Sequence, residues 1–276
     1  MTNRERFRRI MNFKSFDRLP ILEWAGWWDK TIDRWHDESL PTELTDRYEI
    51  CTYFGLDIYK QEWLPVRGPD CPKPASHGAG IISDEDGYDL IKKHLYSPDA
   101  VNAEQWKDLG KKQADGSIVV WFSLDGFFWF ARTLLGIERH LYAFYDQPDL
   151  MHRMNNDLTE WMIQSVEKIC EYCSPDFMTF AEDMSYNHGP MLSEDLFDEF
   201  MLPYYHRIIP VLRKHKITSI VDSDGDITVP AAWFERAGIE GILPLERQSG
   251  VDINTLRENH PRMRFIGHYD KMVMNK

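Results

Sequence analysis

At 276 residues, with 43% hydrophobic and 28% charged side chains, the chain has the size and composition of one large globular domain. A formal net charge of -13 repels nucleic acid and anionic membrane, so neither is expected as a partner. No apolar run approaches the roughly 18 residues that span a bilayer, and the charged opening stretch has no signal-peptide core. A cytoplasmic location is the expectation.

Thr2 with Glu5 three residues later is a capping-box spacing, which predicts a helix over Asn3–Asn12. Pro20–Glu23 and Asp57–Glu62 are the first two strand candidates. Turn clusters at Arg67–Asp70 and Cys71–Pro74 leave residues 1–115 irregular. Within them Ile81–Tyr96 reads as a β-hairpin, because apolar residues flank the acidic glycine turn Asp84–Gly87.

From about residue 116 the pattern alternates regularly. Ser117–Ser123 is a β-branched and aromatic run suited to a buried strand. Helical patterns follow at Gly126–Tyr145 and Asp149–Tyr172, then a strand at Phe177–Glu182. Ser193–Lys214 is helical, interrupted by Pro203 and Pro210. Strands at Ile217–Val221, Gly241–Leu245 and Met263–Gly267 alternate with helices at Val229–Ala237 and Asp252–Asn259. Of the four cysteines, Cys170 and Cys173 form a C-x-x-C at the end of a helical stretch. With no second pair nearby, they read as structural.

Repeated β-then-α units joined by short links dictate a parallel sheet wrapped by helices. No glycine-rich phosphate fingerprint follows any strand, which disfavours a doubly wound dinucleotide fold. The expectation is therefore a single (β/α)8 barrel over residues 1–276. Seven βα units are countable, so the eighth strand and helix are expected to be missing.

Several stretches resemble the uroporphyrinogen decarboxylase superfamily over essentially the whole chain. The opening from Asn3 to Pro20 is similar to its leader helix and first strand. Gly189–Ser193 followed by Phe200–Pro203 resembles its fourth segment. Ala237–Glu246 and Phe265–Lys271 resemble its sixth and seventh. The resemblance implies a barrel with its active site at the strand C-termini. It also implies one of two chemistries, porphyrinogen decarboxylation or zinc-dependent methyl exchange with a corrinoid protein.

The strand ends carry Glu23, Glu62, Asp125, Glu182, Asp183, Asp222, Asp224, Asp226, Glu246, His268 and Asp270. Single members of this set can be ordinary helix caps, and Asp222 and Asp226 are candidates to cap the helix that follows. Together, like charges in one concavity need a metal, a cation or a proton to relieve them. The resemblance implies arginines after the first strand for a substrate with eight carboxylates. The matching stretch Glu23–Trp28 has Glu23 and Trp27 in their place, which argues against uroporphyrinogen decarboxylation. Its zinc ligands match Asp222 and Asp224, so zinc–thiolate chemistry is doubtful and a harder divalent metal is the candidate.

The expected roles follow from residue type. Glu182, Asp183 and Glu62 handle protons; Trp24, Trp27, Trp63, Asp125 and Glu246 bind a small substrate; Asp222, Asp224, His188 and His268 hold the metal. An acidic and aromatic pocket suits a methoxylated ring or a methylated amine. The expected function is methyl transfer between a small donor and a corrinoid carried by a partner protein, with a homo-oligomer as a further partner candidate. The alternatives are a decarboxylase for a less anionic substrate and a non-catalytic small-molecule-binding barrel.

Overall fold

The computed structural model describes residues 1–275. Three helices, α1 (Asn3–Met11), α2 (Asp29–Glu38) and α3 (Arg47–Tyr53), precede β1 (Tyr59–Trp63). Next come α4 (Glu85–Lys92), α5 (Ala103–Gln113) and β2 (Val119–Asp125). The chain continues through α6 (Phe127–Leu135), α7 (Ile137–Asp146) and α8 (Pro148–Cys170) to β3 (Phe177–Ala181). A two-residue ribbon, β4 (Ser185–Tyr186) against β5 (Gly189–Pro190), leads to α9 (Glu194–Phe200), α10 (Leu202–Lys214) and β6 (Thr218–Asp222). The last elements are α11 (Pro230–Arg236), β7 (Gly241–Leu243), α12 (Ile253–Asn259) and β8 (Arg264–Phe265).

Six strands pair in parallel in the order β1-β2-β3-β6-β7-β8, so each neighbours the next sheet strand in the chain, as in an α/β barrel. The strands bury both faces, but alternation still sorts their side chains. Tyr59, Val119, Trp121, Phe177, Ile220 and Leu243 form an inner core with Phe7 and Met11 of α1. Val120, Phe122, Leu124, Met178, Phe180, Val221 and Ile242 face the other way, into the larger core shared with the helices. Along the inner face, Gln61 Nε2 donates to Ser123 Oγ at 2.9 Å, and Ser123 Oγ lies 2.7 Å from Thr179 Oγ1. Two residues further on, Asp125 pairs in register with Ala181, and Ala181 with Asp222.

The opposite end is closed by α1. Asp176, at the entrance to β3, has no exposed side-chain surface. It accepts from Arg4 Nε at 2.9 Å, Arg8 Nε at 2.8 Å and Gln113 Nε2 at 2.9 Å. One buried carboxylate thus ties α1 and α5 to the sheet. Thr2 caps α1 as its spacing predicts, accepting from the Glu5 amide at 3.2 Å.

Two expectations are corrected. Ile81–Tyr96 is not a hairpin: Asp84 accepts from the Gly87 amide at 2.9 Å and starts α4, burying Tyr88 and Ile91 on one face. An acidic cluster ending in glycine serves a helix start as readily as a turn. Pro20–Glu23 does not join the ladder, which has six strands and not seven. Pro20 has no amide hydrogen, and the Ile21 amide donates to Asp57 Oδ2 at 3.0 Å. A single backbone bond, Asp57 N–H to Ile21 O at 2.7 Å, is left to join the segment to the start of β1. The long helical stretch after β2 is also split, at Gly136. Its φ is 85°, and a Cβ there would meet the Gly80 nitrogen at 2.5 Å.

His140 on α7 is fully buried, its ring centroid 4.5 Å from Phe128 and 5.1 Å from Phe144, and neither ring nitrogen has a partner. Burial pushes its pKa down to about 3, so the folded state keeps it neutral. The unfolded chain takes up that proton as pH falls below its ordinary value near 6.5, so folding loses stability from there down to about pH 3. His140→Phe is expected to flatten this part of the pH–stability curve by removing a contribution of at most about 1.4 kcal/mol per pH unit. Urea unfolding at pH 7 and pH 4.5 checks it; equal losses in both proteins would refute the assignment.

Candidate active site

The alternation that builds the barrel also sorts the acids. Asp125 and Asp222 continue the inner faces of β2 and β6 and stand half-buried at the C-terminal rim. Neither carboxyl has a hydrogen-bond partner of its own among the described residues. Burial pushes the Asp125 carboxyl up to about 6, with Arg67 opposing weakly. Burial, then the charges of Asp183 and Asp224, push Asp222 up to about 7. Two acids on one rim are thus held where a proton is both present and transferable at neutral pH.

Their neighbours are more constrained. Asp183 has a left-handed backbone with φ 41° and accepts the Asp224 amide at 3.3 Å through Oδ1. Asp224 is raised, first by burial and then by Glu246 and Asp183. Glu246 accepts the Gly225 amide at 3.0 Å and the Ser249 hydroxyl at 3.2 Å, and it pairs with Lys271. Burial would raise Glu246, but these partners bring it below its ordinary value. Lys271 therefore supplies the counter-charge of this part of the rim.

The metal set does not assemble. Among the described residues no three His, Cys, Asp or Glu side chains converge to hold an ion. His188 lies exposed in the β4–β5 turn, its ring edge-on to Tyr186 at 5.8 Å. His268 has Nε2 3.0 Å from the Val251 carbonyl, a position that demands a ring N–H and removes that nitrogen as a ligand. Burial and neighbouring carboxylates raise both Asp222 and Asp224, and Lys271 opposes the rise at Asp224. Asp226, not Asp222, makes the local cap, accepting the Thr228 amide at 2.9 Å.

Two expected proton carriers also lie elsewhere. Glu62 points to the outer face of β1, where it accepts Gln105 Nε2 of α5 at 2.5 Å. Glu182 follows Met178 and Phe180 on the outer face of β3 and is wholly buried. Its carboxylate accepts the Phe127 and Phe128 amides at 2.8 Å each and the Tyr205 hydroxyl. Burial pushes it up to about 7 against these three donors, which favour the charged form.

The aromatic candidates divide in the same way. Trp63 ends β1 on the inner face and is 54% exposed, a free wall at the mouth. Trp24 is half-buried against the inner core. Trp27 packs edge-on against Trp35 at 5.1 Å and Phe54 at 6.5 Å. Glu23 folds onto its own loop, accepting the Ala25 amide at 3.1 Å, while Arg47 holds the Glu23 and Trp24 carbonyls at 3.0 and 2.7 Å. Burial pushes the Cys170 and Cys173 thiols up to about 12 and about 11, so neither is a thiolate at neutral pH. Sequence reasoning did not find Lys271, Tyr205 or Gly126. Only Gly126 left a signal there, as a glycine directly after a strand-end acid.

Removing the Asp183 charge should lower the Asp222 pKa from about 7, by roughly one unit, because a like charge no longer opposes ionisation. Carboxyl carbon-13 titration of wild type and Asp183→Asn reads this directly. An unchanged or raised value would mean that the two acids do not share one field.

Comparison with known proteins agrees with this architecture. The family profile described as uroporphyrinogen decarboxylase (URO-D) matches residues 111–275, more than half of the chain. No curated protein matches it. Among solved structures, a methyltransferase from Methanosarcina mazei superposes with a TM-score of 0.67 at 14% identity, covering 97% of this chain and 82% of its own. At that identity the likeness speaks for the fold. No helix among the described residues is long and apolar enough to cross a membrane. With the family profile spanning β2 to β8 and the rim acids inside it, the chain belongs to the uroporphyrinogen decarboxylase family.

Proposed function

We propose that the protein transfers a methyl group from a small O-methyl or N-methyl donor, with Asp222 and Asp125 as the acids of the reaction. The observation that carries this reading is their shared place on the inner rim, with carboxyls held at about 7 and about 6. As the bond from methyl carbon to oxygen or nitrogen breaks, the leaving atom gains the electron pair. A protonated Asp222 can supply the proton that neutralises it. Burial keeps that proton on Asp222, helped by like-charge repulsion from Asp183 and Asp224. Trp63 and Trp24 offer an aromatic wall to the donor.

The acceptor in this reading is a corrinoid brought by a partner protein, which supplies the nucleophile. The residues of this chain bind the donor, hold the proton and limit water at the rim. The methyltransferase from Methanosarcina mazei supports the reading through shared architecture. No step depends on a metal, since the candidate ligands do not converge.

Uroporphyrinogen itself is a poor fit. Glu23 and Trp27 occupy the expected arginine positions, and Arg47 is committed to two carbonyls. Each close carboxylate pair would cost roughly 4 kcal/mol at intermediate dielectric. Family membership keeps a second reading alive, decarboxylation of a less anionic substrate, in which the same acids would protonate the product carbon.

Incubation with a panel of O-methyl and N-methyl donors and a corrinoid acceptor separates these readings. Methyl transfer is expected, reduced about 100-fold or more in Asp222→Asn. Uroporphyrinogen should not be converted. Decarboxylation of any substrate without methyl transfer would replace the proposal with the lyase reading.

A further inference from the structure

We infer that Glu182 is a positioning residue, whose buried carboxylate fixes the turn that carries the rim acid Asp125 from behind the barrel wall. Its side chain reaches across to the start of α6 and accepts the Phe127 and Phe128 amides, the first two of the helix that follows Asp125. Its own amide donates to the Asp222 carbonyl at 2.9 Å. Asp183, with its left-handed backbone, is the next residue. The residue directly after β3 therefore bonds to the segments that carry Asp125 and Asp222 and leads straight into Asp183.

The fit is built from both sides. Tyr205 of α10, itself fully buried, donates its hydroxyl to the same carboxylate. Gly126 is required by contact: a Cβ there would lie 2.1 Å from Glu182 Cδ. The Gly126 amide donates to the Ala181 carbonyl at 2.7 Å, so the Asp125–Gly126 turn is held by main chain as well. A carboxylate can receive two amides and a hydroxyl, whereas a carboxamide offers one oxygen and turns N–H groups toward N–H groups. Glu182 thus acts through Asp125 and does not touch the pocket.

The catalytic consequence rests on the proposed function, but the positioning itself can be read without turnover. Glu182→Gln and Tyr205→Phe are compared with Leu212→Ala, a core substitution on the same helix as Tyr205, chosen as a control for lost stability. Carboxyl carbon-13 titration of Asp125 is the readout. In Glu182→Gln the Asp125 pKa is expected to fall from about 6 by roughly one unit as the turn loosens and water enters, with a smaller fall in Tyr205→Phe. Leu212→Ala should leave it in place. If Glu182→Gln is too unstable to titrate, Tyr205→Phe carries the test. An unchanged Asp125 titration in the variants that fold, or an equal shift in the control, overturns the inference. A shift in Asp125 with no methyl transfer in any protein would uphold the positioning and defeat the reaction assigned to the site.

Discussion

The site depends on one geometric constraint, the alternation of side chains along six parallel strands. On β3 it sends Phe177, Thr179 and Ala181 inward and Met178 and Phe180 outward, and Glu182, the next residue, continues the outer face. Register then carries the inner face across the sheet, so that Asp125, Ala181 and Asp222 share one level. A shift of one residue in β2 or β6 would turn its pocket acid, Asp125 or Asp222, toward the helices. The buried Asp176 cluster and the α1 plug guard that register at the opposite end, with Arg4, Arg8 and Gln113 converging on one carboxylate.

Crowded carboxylates on this rim differ in how burial and their partners treat their charge. Asp222 and Asp125 shed charge because burial penalises the ionised form. Glu246 keeps its charge because Lys271, the Gly225 amide and the Ser249 hydroxyl all favour it. Glu182 lies between these limits, with complete burial set against the Tyr205 hydroxyl and the first amides of α6. The same residue type therefore serves as acid, ion-pair partner and structural anchor within a few strand ends, and local solvation decides which.

Much of this was legible in the sequence, though unevenly. The βα rhythm from residue 116 onward was readable because each strand is a short apolar run with a helix behind it, and Asp125 and Asp222 stood at its ends. The faces were harder. Counting by twos separates Glu182 from Phe177, but with apolar residues on both sides of β3 nothing local says which face is the interior. Tyr205 was hidden for a similar reason, since an aromatic residue in an apolar helical pattern reads as packing whatever its hydroxyl reaches. The contact that occupies His268 Nε2, with the Val251 carbonyl, is set by tertiary structure and left no mark in the sequence. Asp84–Gly87 was misread because a helix start and a hairpin turn use the same residues.

The central claim is that Asp222 acts as a proton-holding acid on the inner rim. Its most direct test is the pH dependence of single-turnover methyl transfer in wild type and Asp222→Asn. An acid is useful only while protonated, so the wild-type rate should fall as pH rises through about 7, and the variant should lose that limb. A wild-type rate that rises through the same range, or a variant that keeps the wild-type profile, would contradict the account.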